Sequence, residues 1–558
     1  MEPMMEMKTT LQFFYQWEKQ KANTIYLRQP FGDTFKDYTW HEVGNQARRM
    51  ATYLKSLNLP EKSNIGMISK NCAHWIINDI AIMLSGHISV PFYPTLTADS
   101  LNQVMTHSGC KVLFIGKIDN GVNFYSGISN EVKCIAYPAE YENSPVNKYE
   151  NWNDIIARYE PMSEDYYPDL DDLMSIVYTS GTTGVPKGVM ITYRSSASVF
   201  AYSGDILQLT TVEECRFFSY LPLCHIAERS LVETGSLVGG GVIYFAESID
   251  TFAKNLQVAR PTHFLAVPRI WTKFQLGILA KMPQKKLDLF LKIPILSGIV
   301  KKKIRQGLGL NNAHFILTGA APMPPSLIRW FRKLGIKIQE AYGMTENMGA
   351  HSLMPSEAVQ DGTVGVMNNG VETRIDPITQ EVQMRSPWMT IGYYKEPKLT
   401  AELLKDGWLC TGDMGELTPD GYLKITGRVK DMFKTAKGEY VVPVPIEKGF
   451  ATNNFVEQVC VTGESLPQPV ALIVLSDLGE GADKEIVIQS LMANVESINP
   501  TIKHYEHIKK IVVLKEGWTV ENNMLTPTMK IKRNVIENNY KPKMEKWYRT
   551  GEVVIWDN

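Results

Sequence analysis

Ser175-Ile-Val-Tyr-Thr-Ser-Gly-Thr-Thr-Gly-Val-Pro-Lys-Gly188 opens as an apolar strand and then runs through Thr179, Ser180, Gly181, Thr182, Thr183 and Gly184, before Lys187 held behind Pro186. Hydroxyls and unobstructed backbone N–H groups converging on one point make an anion cradle, and a nearby lysine adds a positive charge. Phosphate is the expected guest. The stretch is not a Walker loop, which needs glycine directly before its lysine and a hydroxyl directly after; Lys187 follows Pro186 and precedes Gly188. An ordinary surface turn uses one or two glycines and has no need of four hydroxyls beside a lysine.

Outward from this loop the chain keeps one grammar. From Asn64 onward, short β-rich runs alternate with longer helical patterns, the signature of crossover units on a largely parallel sheet. Strands are predicted at 65–68, 89–93 and 111–115 with helices at 74–84 and 99–107, and the pattern returns at 175–178, 216–221, 242–245, 264–267 and 314–317. At least two layered α/β subdomains should therefore lie before about residue 340. After Glu381 short strands and turns such as Asp406-Gly407 and Asp420-Gly421 suggest a small β-rich module. Beyond Lys430, strands at 458–462 and 470–475 and a helix at 484–497 suggest a separate small domain.

Composition bounds the function. The chain has 558 residues, enough for several domains at about 100–200 residues each. Its 44% apolar and 21% charged residues are those of a folded globular protein. A formal charge of -1 supplies no global field toward nucleic acid, so no nucleic-acid partner is expected. Seven cysteines, none spaced C-x-x-C, argue against zinc and disulfides and for a reducing cytosol. Residues 1–10 lack the apolar core of a secretory signal, and the longest apolar stretch, 75–93, is broken by Asn78, Asp79 and His87. The expectation is a cytoplasmic protein, with peripheral attachment to the inner face of a membrane as the variant. Homodimer and monomer are both open.

Residues 281–310 stand apart: eight basic residues (Lys281, Lys285, Lys286, Lys292, Lys301, Lys302, Lys303, Arg305) and one acidic, Asp288, surround Leu-Phe-Leu and Ile-Pro-Ile-Leu clusters. One reading is an amphipathic segment that docks on anionic lipid. The other, favoured by the usual frequency of such charge runs, is a solvated basic helix face whose apolar side packs on the domain.

The loop 178–188 resembles the signature loop of the adenylate-forming superfamily, which includes acyl-CoA synthetases, luciferases and peptide-synthetase adenylation domains. Further motifs of that family follow in order from about residue 40 to about 540. In Gln339-Glu-Ala-Tyr-Gly-Met-Thr-Glu346 the resemblance implies that Tyr342 stacks on adenine, with Glu340, Ala341 and Gly343 in the same nucleotide-binding segment. It also implies that Thr345 touches the α-phosphate and that Glu346 holds Mg²⁺ together with Thr179. In Thr318-Gly-Ala-Ala-Pro-Met-Pro-Pro325, Gly319 and Ala320 are candidates for the adenine pocket, because small residues let a planar base approach backbone. Asp413 resembles the ribose clamp, since a carboxylate accepts from two vicinal hydroxyls at once, and Arg428 is its expected partner. Lys430 matches the interdomain hinge, and Phe433-Lys-Thr-Ala-Lys-Gly438, with Lys434 and Gly438, the loop lining the thiol tunnel. Lys530, in Leu525-Thr-Pro-Thr-Met-Lys-Ile-Lys-Arg533, matches the lysine that bridges the attacking carboxylate and the α-phosphate.

That last motif, with Leu221-Pro-Leu-Cys-His-Ile-Ala-Glu-Arg229 and Val267-Pro-Arg-Ile-Trp271, resembles the long-chain fatty acyl-CoA synthetase branch. There the resemblance places His225 beside the acyl carboxylate and Trp271 near the mouth of an acyl tunnel; the alternatives are a structural histidine and a core tryptophan. At Tyr193 many relatives carry histidine, which leaves any role of that side chain open. The resemblance implies a large AMP-binding domain at 1–428 of two α/β subdomains plus a β-rich subdomain, a hinge at 429–431 and a small mobile α+β domain at 432–558. It implies a ligase using ATP, Mg²⁺ and coenzyme A to activate a medium- to long-chain fatty acid. Its rivals are a fatty acyl-AMP ligase loading a carrier protein, an aryl or other acid-CoA ligase, and an inactive nucleotide or lipid sensor.

Overall fold

The computed structural model describes residues 6–120, 123–179, 186–450, 453–526 and 530–557. These form two compact units, one from 6–179, 186–372 and 384–409, the other from 373–383 and 410–557.

The first unit carries two large sheets among the described residues. One runs in the order Glu150–Asn151, Lys133–Ala136, Val112–Ile115, Asn64–Ile68, Ile88–Phe92, Leu173–Thr179, Lys187–Thr192. Its pairings are parallel except the last, where Lys187–Thr192 returns antiparallel along Leu173–Thr179. The other has six parallel strands at its centre: Ile25–Phe31, Val242–Phe245, Arg216–Ser219, His263–Leu265, Phe315–Thr318 and Gln339–Tyr342. Antiparallel edge strands Thr34–Thr39, Ser352–Leu353 and Val366–Met367 flank them. The α/β architecture expected from the alternating pattern is thus present.

Helix Ala73–Leu84 lies between the sheets, with every one of its residues buried. Its core includes Ile65 and Met67 of one sheet and Phe217 and Ile243 of the other. A helix packed on both sides is apolar all round, which explains why 75–84 reads as an almost unbroken apolar run. The two polar breaks point inward: Asp79 meets Arg229 Nη2 at 2.7 Å. Strand Ile25–Phe31 escapes the sequence pattern because Pro30 removes a ladder donor and its burial does not alternate.

In the second unit, residues 410–417 of strand Trp408–Leu417 pair antiparallel with strand Leu423–Arg428. A four-stranded sheet follows in the order Val456–Thr462, Val470–Leu475, Lys510–Val513, Val554–Trp556. Along Val470–Leu475, Ala471, Ile473 and Leu475 pack with Val487 and Leu491 of helix Lys484–Ile498, while Val470, Leu472 and Val474 pack with Ile536 and Tyr540 of helix Arg533–Arg549. Successive side chains point to opposite faces, and a helix covers each, so the strand is a continuous apolar run. Among the described residues no helix is long and apolar enough to cross a membrane.

Candidate active site

The described flanks of the phosphate-loop motif face each other, since Thr179 and Lys187 are register partners in the hairpin. Ser180, Gly181, Thr182, Thr183 and Gly184 lie outside the described residues. The returning strand is tied to residues 390–394: Met190 N–H donates to Gly392 O at 3.1 Å, Tyr394 N–H to Gly188 O at 2.8 Å, and Thr390 Oγ1 to Met190 O at 2.7 Å.

The same segment reaches the second motif. Glu346 sits on the short turn Thr345–Asn347 just after strand Gln339–Tyr342, and both Thr345 and Glu346 are buried. Thr390 N–H donates to Glu346 O at 2.7 Å, and Tyr393 OH donates to Glu346 Oε1 at 2.7 Å. Lys187 Nζ stands 5.0 Å from the centre of the Tyr393 ring. Burial, then the Glu346 charge and the hydrogen bond to it, push the Tyr393 hydroxyl well above the usual phenol range, so it remains a donor. Tyr393 therefore joins the lysine of one motif to the carboxylate of the other. Sequence reading missed it; the only local signal is an aromatic pair after Gly392, and nothing local relates it to a residue 47 positions away.

Beside the acid turn, a Cβ built on Gly319 would lie 3.0 Å from Ala341 O, and one on Gly343 would collide with the backbone of Gly349. Ala320 holds φ at +64°, a left-handed conformation rare outside glycine. Such conformations cost about 1–3 kcal/mol and cluster at binding sites. Glu340 pairs in register with Thr318, so strand and turn lie side by side. The Tyr342 ring is 5.2 Å from that of His351, whose full burial pulls its pKa down to about 3 and keeps it neutral. A flat group approaching Tyr342 meets backbone and an uncharged ring.

His225 caps the short helix Ile226–Glu228 and accepts from Ala227 N–H through Nδ1 at 3.2 Å, which leaves the proton of a neutral ring on Nε2. Directly after it, a π-helical turn, Arg229–Thr234, carries a buried charge cluster that sequence reading did not single out. Arg229 Nη2 donates to Asp79, Nη1 to Ser175 Oγ at 2.6 Å, and Nε lies 3.2 Å from Glu233. One guanidinium thus pins the strand leading into the phosphate loop to the central helix. Burial and the neighbouring Asp79 charge push the Glu233 carboxyl well up, against the pull of Arg229. Glu228 accepts from Tyr220 N–H at 2.8 Å, and burial raises it to about 8. Trp271 is fully buried, donates its indole N–H to Ala266 O at 3.0 Å and packs edge-on against Phe264, Phe274 and Phe331. Tyr193 is also buried, and burial pushes its hydroxyl up.

In the second unit, Asp413 and Arg428 are register partners across a hairpin, with Arg428 Nε 2.8 Å from Asp413 Oδ1. Asp413 N–H donates to Thr411 Oγ1, which donates to Val382 O at 2.6 Å, so the carboxylate is fixed from the backbone side as well. Lys430 is exposed on the turn Val429–Asp431. Lys434 is exposed in the hairpin of Phe433–Lys434 and Tyr440–Val441, where Gly438 holds φ at +87°. Lys530 is exposed, its N–H donating to Thr526 Oγ1 at 3.1 Å while Thr526 N–H donates to Lys530 O at 2.8 Å. Three residues on, Arg533 is buried: Nη2 donates to Glu447 Oε1 and Nη1 to Val461 O, both at 2.7 Å, and Nε lies 3.8 Å from Asp431 of the turn that bears Lys430. That anchor, too, was not foreseen.

Among the described residues no group of three or more His, Cys, Asp or Glu side chains could hold a metal ion by itself. One buried carboxylate, Glu346, and one hydroxyl, Thr179, fit an ion that keeps most of its oxygen ligands from waters and a phosphate chain, as Mg²⁺ does.

Residues 13–394 match the family model "AMP-binding enzyme", and 430–552 match "AMP-binding enzyme C-terminal domain". Curated relatives include the fatty acyl-CoA synthetase A of Dictyostelium discoideum, 28% identical over 94% of this chain and 88% of that one. Long chain acyl-CoA synthetase 2 of Arabidopsis thaliana is 29% identical over 96% and 92%. Similar solved structures include the adenylation domain of a carboxylate reductase from Mycobacterium chelonae (TM-score 0.79, 21% identity, 97% of this chain and 91% of that one). The o-succinylbenzoate CoA synthetase of Bacillus subtilis in complex with an acyl-adenylate intermediate gives a TM-score of 0.74 at 20% identity, over 95% and 98%. The phosphate-loop hairpin, the buried acid turn and the small domain that follows them fall within the two matched stretches, and the chain belongs to the AMP-binding enzyme family.

Proposed function

We propose that this enzyme activates a fatty acid, of medium to long chain, as an acyl-adenylate with release of pyrophosphate and then transfers the acyl group to coenzyme A, releasing AMP. A free carboxylate is a poor acyl donor because its leaving group would be oxide or hydroxide; AMP leaves readily. The observation that carries the reading is the Tyr393 bridge, which unites the lysine strand of the phosphate-loop hairpin with a buried carboxylate in one rigid arrangement. Lys187 offers an ammonium to the phosphate chain, Tyr342 a stacking face, and Thr345 a hydroxyl at the α-phosphate. Bound through Glu346 and Thr179, Mg²⁺ supplies charge neutralisation on the triphosphate. His225 orients the acid, and Trp271, enclosed by Phe264, Phe274 and Phe331, serves as core support behind the acyl site and not as a gate at its mouth.

From the second unit we assign Asp413, backed by Arg428, to the ribose hydroxyls and Lys530 to the anion that develops as carboxylate attacks phosphorus. The segment of Lys434 and Gly438 serves the thiol step, and 429–431 the hinge between the half-reactions. The names of the curated relatives, fatty acyl-CoA and long chain acyl-CoA synthetases, support a fatty acid substrate and free coenzyme A as acceptor.

The test is mass-spectrometric detection of acyl-AMP and acyl-CoA after incubation with Mg-ATP, coenzyme A and a panel of short, medium, long-chain and aryl acids. Medium or long-chain acyl-CoA is expected. Acyl-AMP that accumulates and transfers only to a carrier-protein thiol, or turnover confined to aryl acids, would overturn it.

A further inference from the structure

The basic segment 281–310 forms two helices, Gln284–Lys292 and Pro294–Gly307, and its apolar residues divide between two sides. Leu287 and Val300 turn inward and pack with Leu334, Ile278, Ile304 and Trp330. A second set faces water: Leu289, Ile293, Ile295, Leu296 and Ile299 are 57%, 43%, 80%, 38% and 48% exposed. With Leu276 they are six of the twenty exposed large apolar side chains among the described residues, gathered within 24 consecutive positions. Single exposed apolar residues are normal; a cluster marks a contact surface. A basic helix face that merely sits in solvent would be polar on the outside, and this one is not.

Cations rim the cluster. Ile295 and Ile299 are one helical turn apart, and Lys302 and Lys303, both exposed, continue the same stripe on the next turn. Lys285, Lys286 and Lys292 are exposed on the neighbouring helix, where the one carboxylate, Asp288, accepts from Gln284 at 2.8 Å. Beside the stripe lies a cavity of about 480 Å³ lined by Lys301, Lys302, Arg305, Gln306 and Asn311, where Arg305 Nη2 donates to Leu310 O and Ala313 O, both at 3.4 Å. An apolar tip ringed by ammonium groups, with a cationic hollow at its edge, is complementary to one surface: acyl chains beneath a layer of phosphate. The chain's net charge of -1 gives no long-range pull, so the attraction is local to this patch.

We propose that helices Gln284–Lys292 and Pro294–Gly307 dock the chain on an anionic lipid bilayer, with Leu289, Ile293, Ile295 and Ile299 entering the headgroup–acyl boundary and the exposed lysines of both helices taking lipid phosphates. The surface, not the proposed reaction, carries this inference. The test is co-sedimentation of the full chain with phosphatidylcholine vesicles, with and without phosphatidylglycerol. Binding is expected only with phosphatidylglycerol, and it is released by salt. The double variant Lys302→Ala, Lys303→Ala should partition about 30-fold less, from the typical gain per lysine near an anionic surface. Ile295→Ser with Ile299→Ser should lower binding at least about tenfold while leaving thermal unfolding and far-ultraviolet circular dichroism unchanged. Absence of binding to anionic vesicles, equal binding to phosphatidylcholine alone, or undiminished binding by either double variant overturns the proposal. So does an Ile295→Ser, Ile299→Ser protein that loses only self-association in sedimentation velocity.

Discussion

Replacing Tyr393 by Phe removes one oxygen and keeps the ring, so the contact with Lys187 at 5.0 Å survives while the 2.7 Å hydrogen bond to Glu346 is lost. Both partners are buried, and the phenol's raised pKa makes it a donor at every accessible pH. A hydrogen bond to a charged group contributes about 1.5–3 kcal/mol, equivalent to roughly 10- to 160-fold in a rate or binding constant. If Tyr393 acts by aiming the Glu346 carboxylate at the ion on the triphosphate, that loss appears in pyrophosphate–ATP exchange as a slower rate and a higher Mg²⁺ requirement, with the fold intact by circular dichroism. A double-mutant cycle isolates the contact: with Glu346→Ala in place, which leaves Tyr393 OH no carboxylate to donate to, Tyr393→Phe should cost within about 0.5 kcal/mol of nothing further. Wild-type exchange by Tyr393→Phe across a Mg²⁺ titration, or losses that simply multiply in the double variant, would refute the bridge as part of the machinery.

Lys530→Ala should abolish acyl-adenylate formation while ATP affinity, read by equilibrium binding, stays near wild type; a strong loss of ATP binding contradicts a transition-state role. Arg229→Ala strands the buried Asp79 carboxylate and should lower stability by about 3–5 kcal/mol in denaturant unfolding; a loss below about 1 kcal/mol would mean that the cluster is not a clasp. Glu228, raised from 4.5 to about 8, holds its proton more tightly folded than unfolded. Its contribution is therefore greatest below pH 4.5 and is lost as pH climbs through 8. Glu228→Gln should flatten that decline in melting temperature, and an unchanged profile would count against the burial argument.

The strand and helix alternation between residues 64 and 340 was legible because backbone periodicity is a local property, and the two large sheets follow it closely. Asp413 and Arg428 were paired through the resemblance to the ribose clamp, and the folded chain adds the hairpin that sets them opposite each other. The antiparallel return of Lys187–Thr192 was not, since a strand's partner is chosen by packing rather than by its own pattern. Arg229 meets Asp79 across 150 positions and Arg533 meets Glu447 across 86. In sequence each is one more charge. Only burial distinguishes them, because a charge removed from water must find a partner, and the partner is whatever the folded chain brings near.

From residue types and spacing alone came the class of the fold, the phosphate chemistry of the loop near residue 180 and the resemblance to adenylate-forming enzymes, all written in short contiguous segments. The folded chain decided what joins those segments. It placed Tyr393 between Lys187 and Glu346, set Arg229 beneath the strand that feeds the loop, and turned Leu289, Ile293, Ile295, Leu296 and Ile299 outward. Motifs are local because hydrogen-bonding geometry and side-chain chemistry act over a few residues. Their mutual arrangement depends on which distant surfaces exclude water together, and no window of sequence contains that.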